Sequence, residues 1–171
     1  VNNYICLGSD ATTCPDTNLY RIIGVFGDQV KVIRAKSIGK QSWNTNGLNI
    51  WSTSSLNTYL NGEYLTSLGT LADKIATTTW KTGGGTQANI QNTVPSTAYQ
   101  YEVGTNASTS TYDAKIGLMY VSDFGFAASS ALSKLIRFVF KLSTNITSFK
   151  LSSSISFINV SSLFSIDIVA R

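Results

Sequence analysis

Two apolar, β-branched runs stand early in the chain, residues 19–26 (LYRIIGVF) and 29–35 (QVKVIRA), and only Gly27-Asp28 separates them. Strands joined by a two-residue loop that begins with glycine form a hairpin, and a type II′ turn matches the twist of such strands. The pattern therefore predicts an N-terminal β-hairpin. A polar stretch carrying two tryptophans follows, GKQSWNTNGLNIWSTSS, and at its end Thr53 or Ser54 is placed to cap a helix. Leu56, Tyr59, Leu60, Tyr64, Leu65 and Leu68 then recur at the spacing of one buried helical face. Gly62 interrupts that face and predicts a bend or a break, and Gly69 is positioned as the C-cap.

A short turn or helix is expected at Leu71–Lys74, followed by a strand-like IATTTW. Residues 82–111 are rich in Gly, Thr, Asn, Gln and Ser and read as a long loop, with a short strand near Tyr99–Val103. KIGLMYV (115–121) reads as a buried strand, and Ser122 or Asp123 as the cap of a short helix through Phe126–Ala128. Beyond that point β-branched and aromatic runs broken by Ser clusters predict three or four short strands. Periodicity leaves a helix open over Leu132–Leu142.

Composition sharpens this picture at one place. All thirteen Gly, all three Trp and all eight Tyr lie before residue 127, where eight acidic residues balance eight basic ones. From Ala127 onward there are five basic residues and one Asp, so the net charge of +4 belongs to the tail. Lys134, Arg137, Lys141 and Lys150 are spread among apolar residues rather than clustered, which argues against a nucleic-acid surface. The organisation expected is one domain over 1–128, with 129–171 a Ser/Ile/Phe-rich tail, either part of that domain or appended to it.

Charged residues make up only 13% of the chain, about half the usual share, while aromatic residues are plentiful. Such a composition suits a packed extracellular β-rich protein and not a disordered one. There is no histidine. That removes the usual general base near neutral pH and the commonest metal ligand, so hydrolases of the usual triad type and His-based zinc sites are excluded. No catalytic residue, metal or cofactor is assigned. Carboxylate or thiol chemistry is the one enzymatic alternative left.

Cys6 and Cys14 are expected to form a local disulfide, which places the chain in an oxidising compartment, extracellular or at a cell surface. The alternative is a reactive or metal-binding pair. No signal peptide, membrane-spanning run or lipidation motif is seen and the chain begins at Val, as expected of a mature ectodomain that does not insert in a membrane through this segment.

Candidate binding chemistry is confined to the tryptophan loop. Trp43 and Trp51 flank Asn44, Asn46 and Asn49, and aromatic faces beside amides suit a sugar ring. The competing reading has both tryptophans packed as a lid on the core. The three asparagines are the nearest approach to a calcium site, but the loop contains no acid. Gly83-Gly84-Gly85 lacks the Lys-Ser/Thr of a phosphate loop and reads as a turn. Asp113 and Asp123 lie at opposite ends of a predicted strand and read as a turn residue and a helix cap.

The segments NLYRIIGVFGDQVKVIRAKSIG, WSTSSLNTYLNGEYLTSL, ATTTWKTGG and AKIGLMYVSDFGFAAS occur in this order. Together they resemble an uncharacterised domain family of Firmicutes and Mollicutes surface proteins, whose members often follow a type IV prepilin-like N-terminal helix. The resemblance covers residues 1–128. It implies a C-type-lectin-like α+β fold, akin to the sulfatase-modifying factors, with an N-terminal hairpin, one main helix and a β-rich C-terminal part. The closing Trp- and Gly-rich segment of that family is not seen after Ala128, so 129–171 reads as a divergent ending or the product of a shifted reading frame. The cysteine pair of the sulfatase-modifying enzymes lies deep in a cleft, whereas Cys6 and Cys14 stand at the other end of the chain, so that activity does not carry over. What the resemblance implies is a non-enzymatic surface or pilin-like structural or adhesion module. Its partners would be further copies of itself in a filament, or other surface proteins. A glycan- or receptor-binding module, phage receptor-binding domains included, is the alternative. Residues 40–53 and 82–111 are its candidate contact surfaces, because loops on a rigid scaffold carry binding.

Overall fold

The alternating run after Asn18 pairs with its neighbours on both sides. In the structure, a computed structural model describing residues 3–83, 85–86, 93–127 and 166–170, strand β1 (Tyr4–Cys6) lies antiparallel to β2 (Leu19–Phe26), which pairs in turn with β3 (Gln29–Arg34). Gly27 takes φ +62° at the hairpin turn, the left-handed region that primed turns require and that glycine enters without a Cβ clash. Pairing steps from Ile22↔Val32 to Gly24↔Lys31, so Ile23 is the extra residue of a bulge. Cys6 and Cys14 are joined in a disulfide, with Cα atoms 5.8 Å apart, closing the loop between β1 and β2.

The helical face predicted from Leu56 onward is present in three pieces: α1 (Ser55–Tyr59), a π-helical turn (Leu60–Tyr64) and α2 (Leu65–Ser67). Ser54, not Thr53, is the N-cap; its Oγ accepts from the Asn57 backbone N–H at 3.0 Å. The wider turn is centred on Gly62, where the break was expected, and the chain leaves the helix through Gly69 at φ +57°. A further turn, α3 (Leu71–Lys74), follows. Leu56, Leu60 and Tyr64 are buried with Tyr20, Val32, Leu71, Ile75 and Ile116, and Tyr59, Leu65 and Leu68 pack half-buried against them. That is one core between a sheet face and a helix face.

The remaining elements are β4 (Thr78–Lys81), α4 (Pro95–Glu102), β5 (Thr111–Ala114), β6 (Ile116–Leu118), α5 (Val121–Ala127) and β7 (Ile166–Ala170). A five-stranded antiparallel sheet has the order β1-β2-β3-β7-β6, and β4 pairs with β5 in a two-stranded sheet. The class is mixed helix and sheet, compatible with α+β. The described residues 3–80, 113–119 and 166–170 form one compact unit, and 81–83, 85–86, 93–112 and 120–127 form a second. No described helix is long and apolar enough to cross a membrane.

Both faces of β3 are covered within the first unit. Val32 and Ile116 face the helices, while Lys31 and Ile33, one residue out of phase on β3, face the other way and are also buried. On that second face lies Trp80, 5% exposed, its Nε1 donating to the Ala114 carbonyl at 2.9 Å. The Lys31 ammonium stands 5.5 Å from the centre of its ring. Gly117 makes the approach possible, because a Cβ there would come within 2.8 Å of the indole carbons.

Three expectations fail on the second half of the chain. Tyr99–Val103 is not a strand: α4 occupies Pro95–Glu102, so the stretch 82–111 is not one long loop. Pro95 sits at the first helical position after an extended Val94, where its fixed φ favours a helix start and its missing N–H costs nothing. The strand expected over 115–121 is confined to Ile116–Leu118, because helix α5 already begins at Val121. Its first N–H groups are bound from elsewhere: the buried Glu102 carboxylate accepts from Val121 at 2.8 Å and Ser122 at 3.0 Å. Asp123 does contribute to capping, from within the helix, by accepting from the Tyr120 N–H at 3.1 Å, and α5 ends at Ala127. Asp113 lies in β5 rather than a turn and accepts from the Thr79 hydroxyl at 2.6 Å. Of the strands expected in the tail, β7 lies among the described residues; Leu132–Leu142 and Gly84 lie outside them.

Two buried tyrosines give the fold an alkaline limit. Burial pushes the Tyr20 hydroxyl up to about 12, helped by the charge of Tyr64 and opposed by Arg34. Burial raises Tyr64 as well, again opposed by Arg34, whose guanidinium carbon is 5.9 Å from its ring centre. An unfolded tyrosine ionises near 10 and Tyr20 in the fold does not, so its contribution to stability is intact below pH 10 and is lost as pH rises towards about 12. Urea midpoints should fall across that window, and Tyr20→Phe should flatten the fall. Midpoints equally steep in the variant would show that Tyr20 does not carry the effect.

Candidate functional site

The tryptophan loop is tied down by its own amides. Asn44 Nδ2 donates to the Leu48 carbonyl at 2.9 Å, and Asn46 Oδ1 accepts from the Leu48 N–H at 3.0 Å. Ser55 Oγ accepts from the Thr45 N–H at 3.1 Å and lies 3.0 Å from Thr45 Oγ1 and 3.4 Å from Asn44 Oδ1. These bonds pin the loop to the first turn of α1. Between loop and helix runs an open groove of about 460 Å³, lined by loop residues Asn44, Thr45 and Asn46 and, from the helical side, by Thr58, Tyr59 and Glu63 among others.

This geometry sorts the five loop residues. Asn44 and Asn46 line the groove. Asn49 is exposed and does not line it. Trp43 and Trp51 are half-buried and pack against the core, ring centres 5.7 Å apart and tilted by 43°. Trp43 also holds the helix through its carbonyl, which accepts from the Leu56 N–H at 3.1 Å. Its buried Nε1 has no hydrogen-bond partner among the described residues.

The tryptophan loop contains no acid, and the helix supplies one. Glu63 is exposed and borders the same groove as Asn46. Ser55, Thr58, Tyr59 and Gly62 follow helical spacing beside the buried face, so a polar stripe next to the tryptophan loop was the available signal. The lining offers hydroxyls, two amides, one carboxylate and a tyrosine. Among the described residues no group of three or more Cys, Asp and Glu is placed to hold a metal ion.

Comparison with protein-family models, with curated proteins and with solved structures finds no match to this chain.

Proposed function

We propose that this chain is a non-enzymatic extracellular adhesion module of a bacterial surface or pilin-like protein, with a C-type-lectin-like fold, and that it holds a hydroxyl-rich ligand of the saccharide class in the Asn44–Glu63 groove. The observation that carries the reading is the pre-formed loop. Asn44, Thr45 and Ser55 spend their hydrogen bonds on fixing the groove wall, which leaves the Asn46 amide nitrogen and the Glu63 carboxylate to meet a ligand. A wall ordered in advance lowers the entropy cost of binding. The Cys6–Cys14 disulfide supports an oxidising, extracellular setting.

The test is a panel of immobilised oligosaccharides followed by titration of any that bind. Asn46→Ala and Glu63→Gln change exposed side chains and should leave the fold intact. Each is expected to weaken binding roughly tenfold, the equivalent of one good hydrogen bond. Binding that ignores both substitutions would place the contact elsewhere on the molecule. No binding across the panel would remove the saccharide reading.

A further inference from the structure

The chain contains two Asn-Gly pairs, Asn46-Gly47 and Asn61-Gly62. A glycine after asparagine leaves the following peptide nitrogen unshielded, and asparagine is among the thermolabile residues. The structure treats the two pairs in opposite ways.

Asn61 is half-buried and fully engaged. Its Nδ2 donates to Asn57 Oδ1 at 2.9 Å and to the Ile116 carbonyl at 3.0 Å, and its Oδ1 accepts from the Ile116 N–H at 3.0 Å. Its backbone and that of Gly62 belong to the π-helical turn. Asn46 is exposed, lies outside any helix or strand, and its Nδ2 makes no hydrogen bond among the described residues. The bond from the Leu48 N–H to Asn46 Oδ1 folds the side chain back over the Asn46–Gly47 peptide in an Asx-turn and polarises the amide carbon. Gly47 is exposed and its N–H is likewise unbonded among the described residues.

We propose that Asn46 is a site of spontaneous covalent modification that converts the groove from one carboxylate to two, while Asn61 is protected by the fold. The Gly47 nitrogen gives its proton to solvent and attacks Cγ of Asn46. A C–N bond forms there, the bond from Cγ to Nδ2 breaks, and Nδ2 leaves as ammonia with a proton taken from water. Water then opens the resulting succinimide at either carbonyl, giving an aspartyl or isoaspartyl residue at position 46. No oxidant or reductant takes part. The product carries a negative charge across the groove from Glu63, so the site acquires a repulsive pair as the protein ages. This inference does not depend on what the groove binds.

The experiment is incubation of the folded protein in mildly alkaline buffer, with peptide mapping by mass spectrometry and an isoaspartate assay at intervals. A parallel sample in denaturant reports both Asn-Gly pairs without structure. In the folded sample the peptide with Asn46 should convert at least about tenfold faster than the peptide with Asn61, which must wait for local opening. In denaturant the two should converge. Equal rates in the folded protein, or an Asn46 that reacts only when unfolded, would overturn the proposal.

Discussion

Trp80→Ala is expected to destabilise the protein by about 3–5 kcal/mol, the range for removing a buried tryptophan. The indole is 5% exposed and covers the sheet face that carries the buried Lys31 and Ile33. Gly117 is shaped to it, since the ring sits where a Cβ of any other residue would be. Alanine would leave a cavity over a glycine, which has no side chain of its own to fill it. It would also strip Lys31 of its aromatic contact and leave the Ala114 carbonyl without the Nε1 donor 2.9 Å away. Urea denaturation monitored by far-UV circular dichroism measures the loss. Trp80→Phe keeps an aromatic surface and loses the hydrogen bond, so it should fall between wild type and alanine. An alanine variant within about 1 kcal/mol of wild type, the scale of an ordinary surface change, would mean that the second face is not a packed core.

Asn61→Ala is the second large effect, through polarity and not volume. Strand β6 is an edge of the five-stranded sheet, with β7 on one side. The Ile116 N–H and C=O are both taken by the Asn61 carboxamide, at 3.0 Å each. An amide presents a donor and an acceptor side by side, as a neighbouring peptide would, so this one side chain closes a stretch of sheet edge. Removing it leaves two backbone groups of a residue that is 0% exposed without partners. At about 1–3 kcal/mol for each of the two unsatisfied buried groups, the expected cost is about 2–6 kcal/mol. The Ile116 amide should also exchange its hydrogen faster in the native state. Unchanged exchange at Ile116 would refute the edge-closing role.

The two substitutions mark where the sequence stopped being readable. The hairpin, a cap at Thr53 or Ser54 and the apolar face from Leu56 to Leu68 were legible because each depends on residues within a few positions of one another. The break at Gly62 and the stop at Gly69 are equally local, as is the disulfide across the loop from Cys6 to Cys14. Helix α4 was not legible. Its Tyr99 and Tyr101 favour a strand locally, and the competing signal was one proline at the start.

The groove divided along the same line. Its asparagine loop was visible as amides between two tryptophans, but the tryptophans went to the core side and Glu63 came from the helix. Nothing in the spacing of Asn44, Asn46 and Glu63 announces that they share a surface. The sequence by itself determined the elements closed by short-range contacts and made the Cys6–Cys14 disulfide expected. Only the tertiary structure decided that Asn61 closes the edge at Ile116, that Trp80 covers Gly117, that Glu102 caps α5 and that Glu63 faces the loop. Those partners are separated by 17 to 55 residues along the chain. Such pairs form only when packing brings distant segments together, and no local propensity encodes which distant group will satisfy a buried amide or fill the space above a glycine.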